Sequence, residues 1–226
     1  MPGAAGTGGE GMLGKDTQEI LMQAEGLELW RGERCLFRDL CLALPEGAVL
    51  HVSGANGCGK TSLLRVLCGL SEPEEGEIRW RGQSIRHCRE DFQLAFAWLG
   101  HLNGFKAELS ARENLAFSVS LRRRTDPEVR NNTLDQVGLG AVADLSCRVL
   151  SAGQKRRLSL ATIMLSAARL WILDEPFTNL DAKGRDMISE MLDRHCADGG
   201  AAIVASHQEL GVEQRYVQHL EMEDTG

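Results

Sequence analysis

The sequence predicts an α/β fold, with a parallel-sheet core, an antiparallel β subdomain and an α-helical subdomain inserted between the two halves of the core. Three observations carry that expectation. Short apolar runs at residues 48–52, 170–173 and 202–205, the first interrupted by His51, have the length and near-continuous hydrophobicity of strands buried on both faces. Helical patterns follow the first two of these runs, and strands alternating with helices imply a parallel sheet. A long, mostly helical stretch, about 104–168, separates the two ends of that alternation.

Taken in order, residues 1–18 are rich in Gly, Ala, Thr and Pro without a period, and the first 20 residues are assigned to a flexible tail. Residues 21–226 form a single domain. Leu27, Leu29, Cys35 and Phe37 alternate with polar positions, as in a half-buried strand pair. Residues 61–70 read as a helix with Leu63, Leu64, Leu67 and Cys68 on one face and Gly69 as its stop. Pro73, Gly76 and Gly82 punctuate short apolar stretches over 71–90, as in hairpins. Ser110 with Glu113 three positions on has the register of a capping box. Asp126-Pro127 breaks the helical block, a further helix is expected over 155–168, and another over 182–196.

The chain has 226 residues, a formal net charge of −7 and 43% hydrophobic residues, enough for a sizeable core. The acidic balance speaks against general nucleic-acid binding, which needs clustered Lys and Arg to neutralise phosphates. No apolar run reaches the roughly 18 residues of a membrane span, and no secretory signal is visible. The seven cysteines are scattered and form no CxxC pair, which indicates neither a zinc site nor a disulfide framework.

Gly54-Ala55-Asn56-Gly57-Cys58-Gly59-Lys60-Thr61 fits the pattern G-x-x-x-x-G-K-[ST] at every fixed position and is followed by Ser62. Glycines let consecutive backbone N–H groups curl inward onto phosphate oxygens, and the following helix directs its positive end at the same anion. In such a loop Lys60 reaches the β- and γ-phosphates of ATP and Thr61 offers its hydroxyl to Mg²⁺. Because the loop lies between a strand and a helix, the core is expected to be a P-loop NTPase of the RecA-like type. Cys58 is either a small side chain at a variable position or a thiol activated by the helix N-terminus.

The run 170–173 ends in Asp174-Glu175. Carboxylates at a strand end lie outside the carboxyl edge of the sheet, where ligands of α/β folds bind. Asp174 is the candidate for holding Mg²⁺, and Glu175 for polarising the attacking water.

Leu150-Ser151-Ala152-Gly153-Gln154 resembles the L-S-G-G-Q signature of the ATP-binding-cassette ATPases, with Ala152 in place of the first Gly. Asn179-Leu180-Asp181 resembles their D-loop, and His207, just past an apolar strand, their switch histidine. The resemblance spans roughly residues 21–222. It implies that ATP is held between two copies of the chain, with Ser151, Gly153, Gln154 and Asp181 of one copy facing the phosphates bound by the other. It also implies that His207 contacts the γ-phosphate. Where the family has a Gln that contacts Mg²⁺ and water, counting back from Glu113-Asn114-Leu115 puts His101. That residue either takes the role with added pH dependence or does not touch the metal. The base-stacking position falls on Trp30 or Arg31, and either can stack on adenine.

Trp98-Leu99-Gly100-His101, the run from Leu109 to Leu115 and Ser206-His207-Gln208-Glu209-Leu210 are most similar to the ATP-binding subunits of bacterial cytochrome c maturation transporters. That likeness implies heme export driven by ATP hydrolysis. It implies a peripheral position on the cytoplasmic side of the inner membrane. The implied partners are a second ATP-binding subunit, an integral membrane permease subunit and heme-handling membrane proteins, with no nucleic acid. Arg122-Arg123-Arg124 is either a solvated face or a contact to headgroups or the permease.

Overall fold

The computed structural model describes residues 19–101 and 104–223. Most of the expected N-terminal tail therefore lies outside the described residues, and the first strand already begins at Ile20. β1 (Ile20–Arg31) and β2 (Arg34–Pro45) form a long antiparallel ribbon in which Leu29 faces Phe37 and Trp30 faces Cys35. The alternation of Leu27, Leu29, Cys35 and Phe37 thus marks a true pair.

β3 (Val49–Gly54) runs into the glycine-rich loop, and α1 (Lys60–Leu67) opens directly after it. β4 (Glu75–Trp80) pairs with β1 and with the two-residue β5 (Gln83–Ser84), which gives an antiparallel sheet of order β2-β1-β4-β5. α2 (Arg89–Ala95) then leads into β6 (Phe96–Leu99). α3 (Ala111–Ser120) and α4 (Pro127–Gln136) begin at the two anticipated points. Ser110 and Glu113 close a reciprocal capping box on α3, and the Asp126 side chain accepts from Glu128 N ahead of Pro127 on α4.

α5 (Ala152–Leu165) starts three residues before the expected 155 and ends three before 168. Its true start is set by Ser151, whose hydroxyl accepts from Gln154 N while the Gln154 side chain accepts from Ser151 N. β7 (Leu170–Asp174), α6 (Ala182–Ala197), β8 (Ala201–Ala205) and β9 (Val217–Met222) complete the chain. The second sheet is wholly parallel, in the order β6-β7-β8-β3-β9. Among the described residues no helix is long and apolar enough to cross a membrane.

Successive residues of each central strand serve opposite cores, as the two-residue strand period requires. Leu50, Ile172 and Ile203 pack with Leu63, Leu64 and Leu67 of α1 and with Leu21 and Leu27 of the antiparallel sheet. Val49, Leu173 and Val204 pack on the other face with Leu160 of α5 and Ile188 and Leu192 of α6. A third cluster joins Leu115 of α3, Leu134 of α4 and Leu158 of α5. α5 is therefore wedged between the parallel sheet and the smaller helices. β9 and α2 escaped the sequence reading because their apolar signal is weak. β9 is an edge strand whose only buried side chain is Met222, and α2 buries only Phe92.

Candidate nucleotide site

The phosphate loop is built by close backbone approaches. A Cβ on Gly54 would fall 2.4 Å from the Met222 carbonyl oxygen, so the start of the loop can pass the end of β9 only as glycine. Gly59, in the left-handed region, caps α1 without any side-chain bond, which leaves the first-turn N–H groups of the helix free to meet an anion. Lys60 is buried and folds its Nζ back onto the Gly54 and Ala55 carbonyls at 2.7 and 2.9 Å. No carboxylate is bonded to it among the described residues, so its charge is held in reserve over the loop. Cys58 is buried in the core beneath the loop, which closes its thiol off from the cleft side and favours the plain packing role.

A cleft of about 290 Å³ opens over this loop, lined by Arg31, Asn56, Gly57, Gly59, Lys60, Thr61, Ser62, His101, Asp174 and Glu175, with Leu36 beside them. Segments distant in sequence thus converge on one place. Arg31 reaches it, whereas Trp30 does not. The Trp30 indole donates to Glu28 at 2.6 Å, and Arg38 lies over its ring.

Asp174 is 1% exposed at the end of β7. Its Oδ2 accepts from the Thr61 hydroxyl at 2.9 Å and lies 3.2 Å from His101 Nε2, while its Oδ1 is buried without a hydrogen-bond partner. Burial raises the Asp174 pKa, partly offset by the Thr61 hydrogen bond. An orphaned buried carboxylate oxygen beside a hydroxyl is an oxygen-rich position suited to a hard divalent cation such as Mg²⁺.

Glu175 is next in sequence but differently placed. Its backbone sits in the left-handed region at φ 47°, a conformation that costs a residue with a Cβ roughly 1–2 kcal/mol. Its N–H donates to the Ala205 carbonyl of β8 at 2.9 Å. The turn swings the side chain away from Asp174's interior position toward His207, whose Nδ1 lies 3.1 Å from Glu175 Oε2. The loop carrying His207 is tied down by the preceding residue. Ser206 N donates to the Val52 carbonyl at 3.1 Å, and the buried His51 ring meets the Ser206 carbonyl at 3.1 Å. Burial depresses the His51 pKa, which favours the neutral ring.

Ser151, Gly153, Gln154 and Asp181 do not line the cleft. They stand at two adjoining helix starts. Asp181 caps α6 through Gly184 N and accepts from Arg157 Nη2 at 2.8 Å. Gly153 lies so close to the turn before α6 that a Cβ there would fall 2.7 Å from the Asn179 carbonyl oxygen.

One functional-region residue went unassigned in the sequence. Arg156, 5% exposed, donates to the carbonyls of Gly100, Asp174, Glu175 and Pro176. The signal was there: positions 156, 159, 160 and 163 recur at helical spacing on the buried side of α5, and a single guanidinium stands on that otherwise small or apolar face.

The chain matches the ABC transporter family over residues 37–178. It is 52% identical over 190 residues to the cytochrome c biogenesis ATP-binding export protein CcmA of Methylococcus capsulatus, covering 84% of this chain and 92% of that one. It is 44% identical to the protein of the same name from Nitrosococcus oceani, covering 88% of this chain and 95% of that one. Among solved structures it superposes on an ATP-binding subunit of an ABC transporter with a TM-score of 0.79 at 21% identity, covering 91% of this chain and 88% of that one. A putative ABC transporter ATP-binding protein from Pyrococcus furiosus gives a TM-score of 0.77 at 21% identity, covering 89% and 96%. At these identities the structural likeness speaks for the fold.

Proposed function

This chain belongs to the ABC transporter family, among its cytochrome c biogenesis ATP-binding export proteins, and from that premise we propose that it hydrolyses ATP to drive the heme exporter of cytochrome c biogenesis. The observation that carries the chemistry is the meeting of the phosphate loop with Asp174 and Glu175 in one cleft, with His207 seated on the Glu175 carboxylate.

The triphosphate lies along the N–H groups of the loop and the start of α1, and Lys60 exchanges its two loop carbonyls for the β- and γ-phosphate oxygens. Thr61 and Asp174 are the residues that would hold Mg²⁺. That ion, when bound, neutralises the charge that develops on the phosphate oxygens. Glu175 orients the water and takes its proton as the oxygen attacks the γ-phosphorus and the bond to the leaving β-phosphate oxygen breaks. His207 holds the Glu175 carboxylate in line and faces the same phosphate. His101, through its contact with Asp174, is placed to report on the metal side of the cleft. Ser151 and Gly153 of a second copy close the site, which fits their position outside the cleft of their own chain.

The partners under this reading are a second copy of the chain, an integral membrane permease subunit and heme-handling membrane proteins. The place of action is the cytoplasmic face of the inner membrane. The test is a cell whose only copy carries Glu175→Gln. Covalent heme in its c-type cytochromes should be lost while the chain still co-purifies with a membrane subunit. Normal c-type cytochromes in that cell would refute the assignment.

A further inference from the structure

We infer that Arg156 is a positioning residue for Glu175, holding the backbone turn that aims the general base; this rests on the reading of Glu175 given above. The geometry points there from three sides. Arg156 Nη2 donates to both the Asp174 and Glu175 carbonyls at 2.7 Å, and its Nε donates to the Pro176 carbonyl at 3.1 Å. Three successive carbonyls of the strand end therefore converge on one guanidinium. The residue in the middle of that run is the one with φ 47°, a conformation that glutamate does not hold without support.

The fourth bond goes elsewhere. Arg156 Nη1 donates to the Gly100 carbonyl at 2.8 Å, directly before His101, so the same cation fixes the spacing between the end of β6 and the end of β7. The guanidinium is planar and presents its donors in a rigid fork, which suits it to holding several carbonyls in fixed relation. No carboxylate oxygen is among these four bonds. Arg156 thus spends its donors on backbone carbonyls and takes up none of the Asp174 or Glu175 carboxylate oxygens. A core-filling residue at this face of α5 would need none of these contacts, since Leu160 and Ile163 of the same helix already join the core against the parallel sheet.

The test uses the full chain with ATP, comparing wild type, Arg156→Met and Arg156→Gln. Arg156→Met keeps an unbranched stem as far as the Nε position and removes every donor. Its kcat should fall about tenfold or more while the Kd for ATP stays within about threefold, because the phosphate loop is untouched. Arg156→Gln retains two donors and should recover part of the loss. The decisive comparison is Arg156→Met placed on Glu175→Gln. A residue that works through Glu175 adds less than about threefold to a chain already lacking the base, whereas a general packing defect multiplies in full. Single-turnover phosphate release reads these rates, at a temperature below the unfolding transition of each variant.

Wild-type kcat in Arg156→Met would overturn the inference, and so would full multiplication in the double variant. If Arg156→Met does not fold, Arg156→Gln and Arg156→Lys carry the same comparison. A Glu175→Gln chain that turns over at the wild-type rate refutes the underlying assignment of the base instead, and with it any positioning role for Arg156.

Discussion

His207 Nδ1 lies 3.1 Å from Glu175 Oε2, so a residue two places past β8 grips the residue that follows β7 across the carboxyl edge of the parallel sheet. The two side chains differ in exposure, 58% for His207 against 14% for Glu175, which leaves the carboxylate sheltered and the ring largely exposed. Glu175→Gln keeps the shape and removes the basicity. Turnover should fall by about a hundredfold or more with ATP binding preserved. His207→Ala should lower kcat in the same direction. Phosphate release beside an equilibrium binding assay reads both, and unchanged turnover in Glu175→Gln would exclude it as the base.

Lys60 is bonded only to the carbonyls of Gly54 and Ala55 among the described residues, and phosphate oxygens are stronger acceptors than either. Lys60→Ala should cost binding about 1.5–3 kcal/mol, roughly a ten- to hundredfold rise in the Kd for ATP. Titration with a fluorescent ATP analogue measures it, and an unchanged Kd would remove Lys60 from the phosphate contacts.

Gly153 and Ala152 are neighbours at the start of α5 with opposite expected tolerance. A Cβ at Gly153 would stand 2.7 Å from the Asn179 backbone oxygen, a clash relieved by moving the backbone before α6 or the start of α5. Gly153→Ala should lower the unfolding temperature and reduce turnover by about tenfold or more, an overpacking cost of roughly 1–3 kcal/mol. Ala152→Gly, on the first helical residue, should cost less than about 1 kcal/mol and leave turnover near normal. Thermal unfolding and kcat of the pair test this, and equal tolerance at both positions would contradict it.

His195 supplies a pH signature of stability away from the site. Its ring stacks on Trp171 at 3.8 Å and bonds to the Ala201 carbonyl, and burial lowers its pKa to about 4. The folded value lies below the unfolded one, so the neutral ring's contribution is fully present above about pH 6.5 and is lost as pH falls toward 4. The loss should approach about 3 kcal/mol over that window. His195→Phe, which keeps a ring on Trp171, should be somewhat less stable at pH 7.5 and flatter in its pH dependence. Denaturant unfolding at pH 7.5 and 5 checks it, and parallel curves for the two proteins would contradict the assignment.

The sequence was most legible where local physics and long-range role coincide. The strands 48–52, 170–173 and 202–205 are buried on both faces, so near-continuous hydrophobicity marked them; the cap at Ser110 sits where the first unpaired helix N–H groups need acceptors, and the break at Asp126-Pro127 falls at the start of α4. Thr61, His101 and Asp174, far apart along the chain, do meet. What escaped depends on tertiary context. β9 is defined by pairing with β3 rather than by its own half-exposed residues, and the register of α5 is set by the capping box at Ser151. The left-handed turn at Glu175 cannot be read from a glutamate. Nor can Arg156's four acceptors, because all of them are backbone atoms with no identity in the sequence.

α5 carries Ser151 at its cap and Arg156 just over one turn along, on a stiff rod clamped between two cores. Tilting that rod at its tip must drag the strand end that Arg156 holds. A push on the Ser151 cap is thereby carried along one rigid helix to the carboxyl end of β7, without any loop having to rearrange.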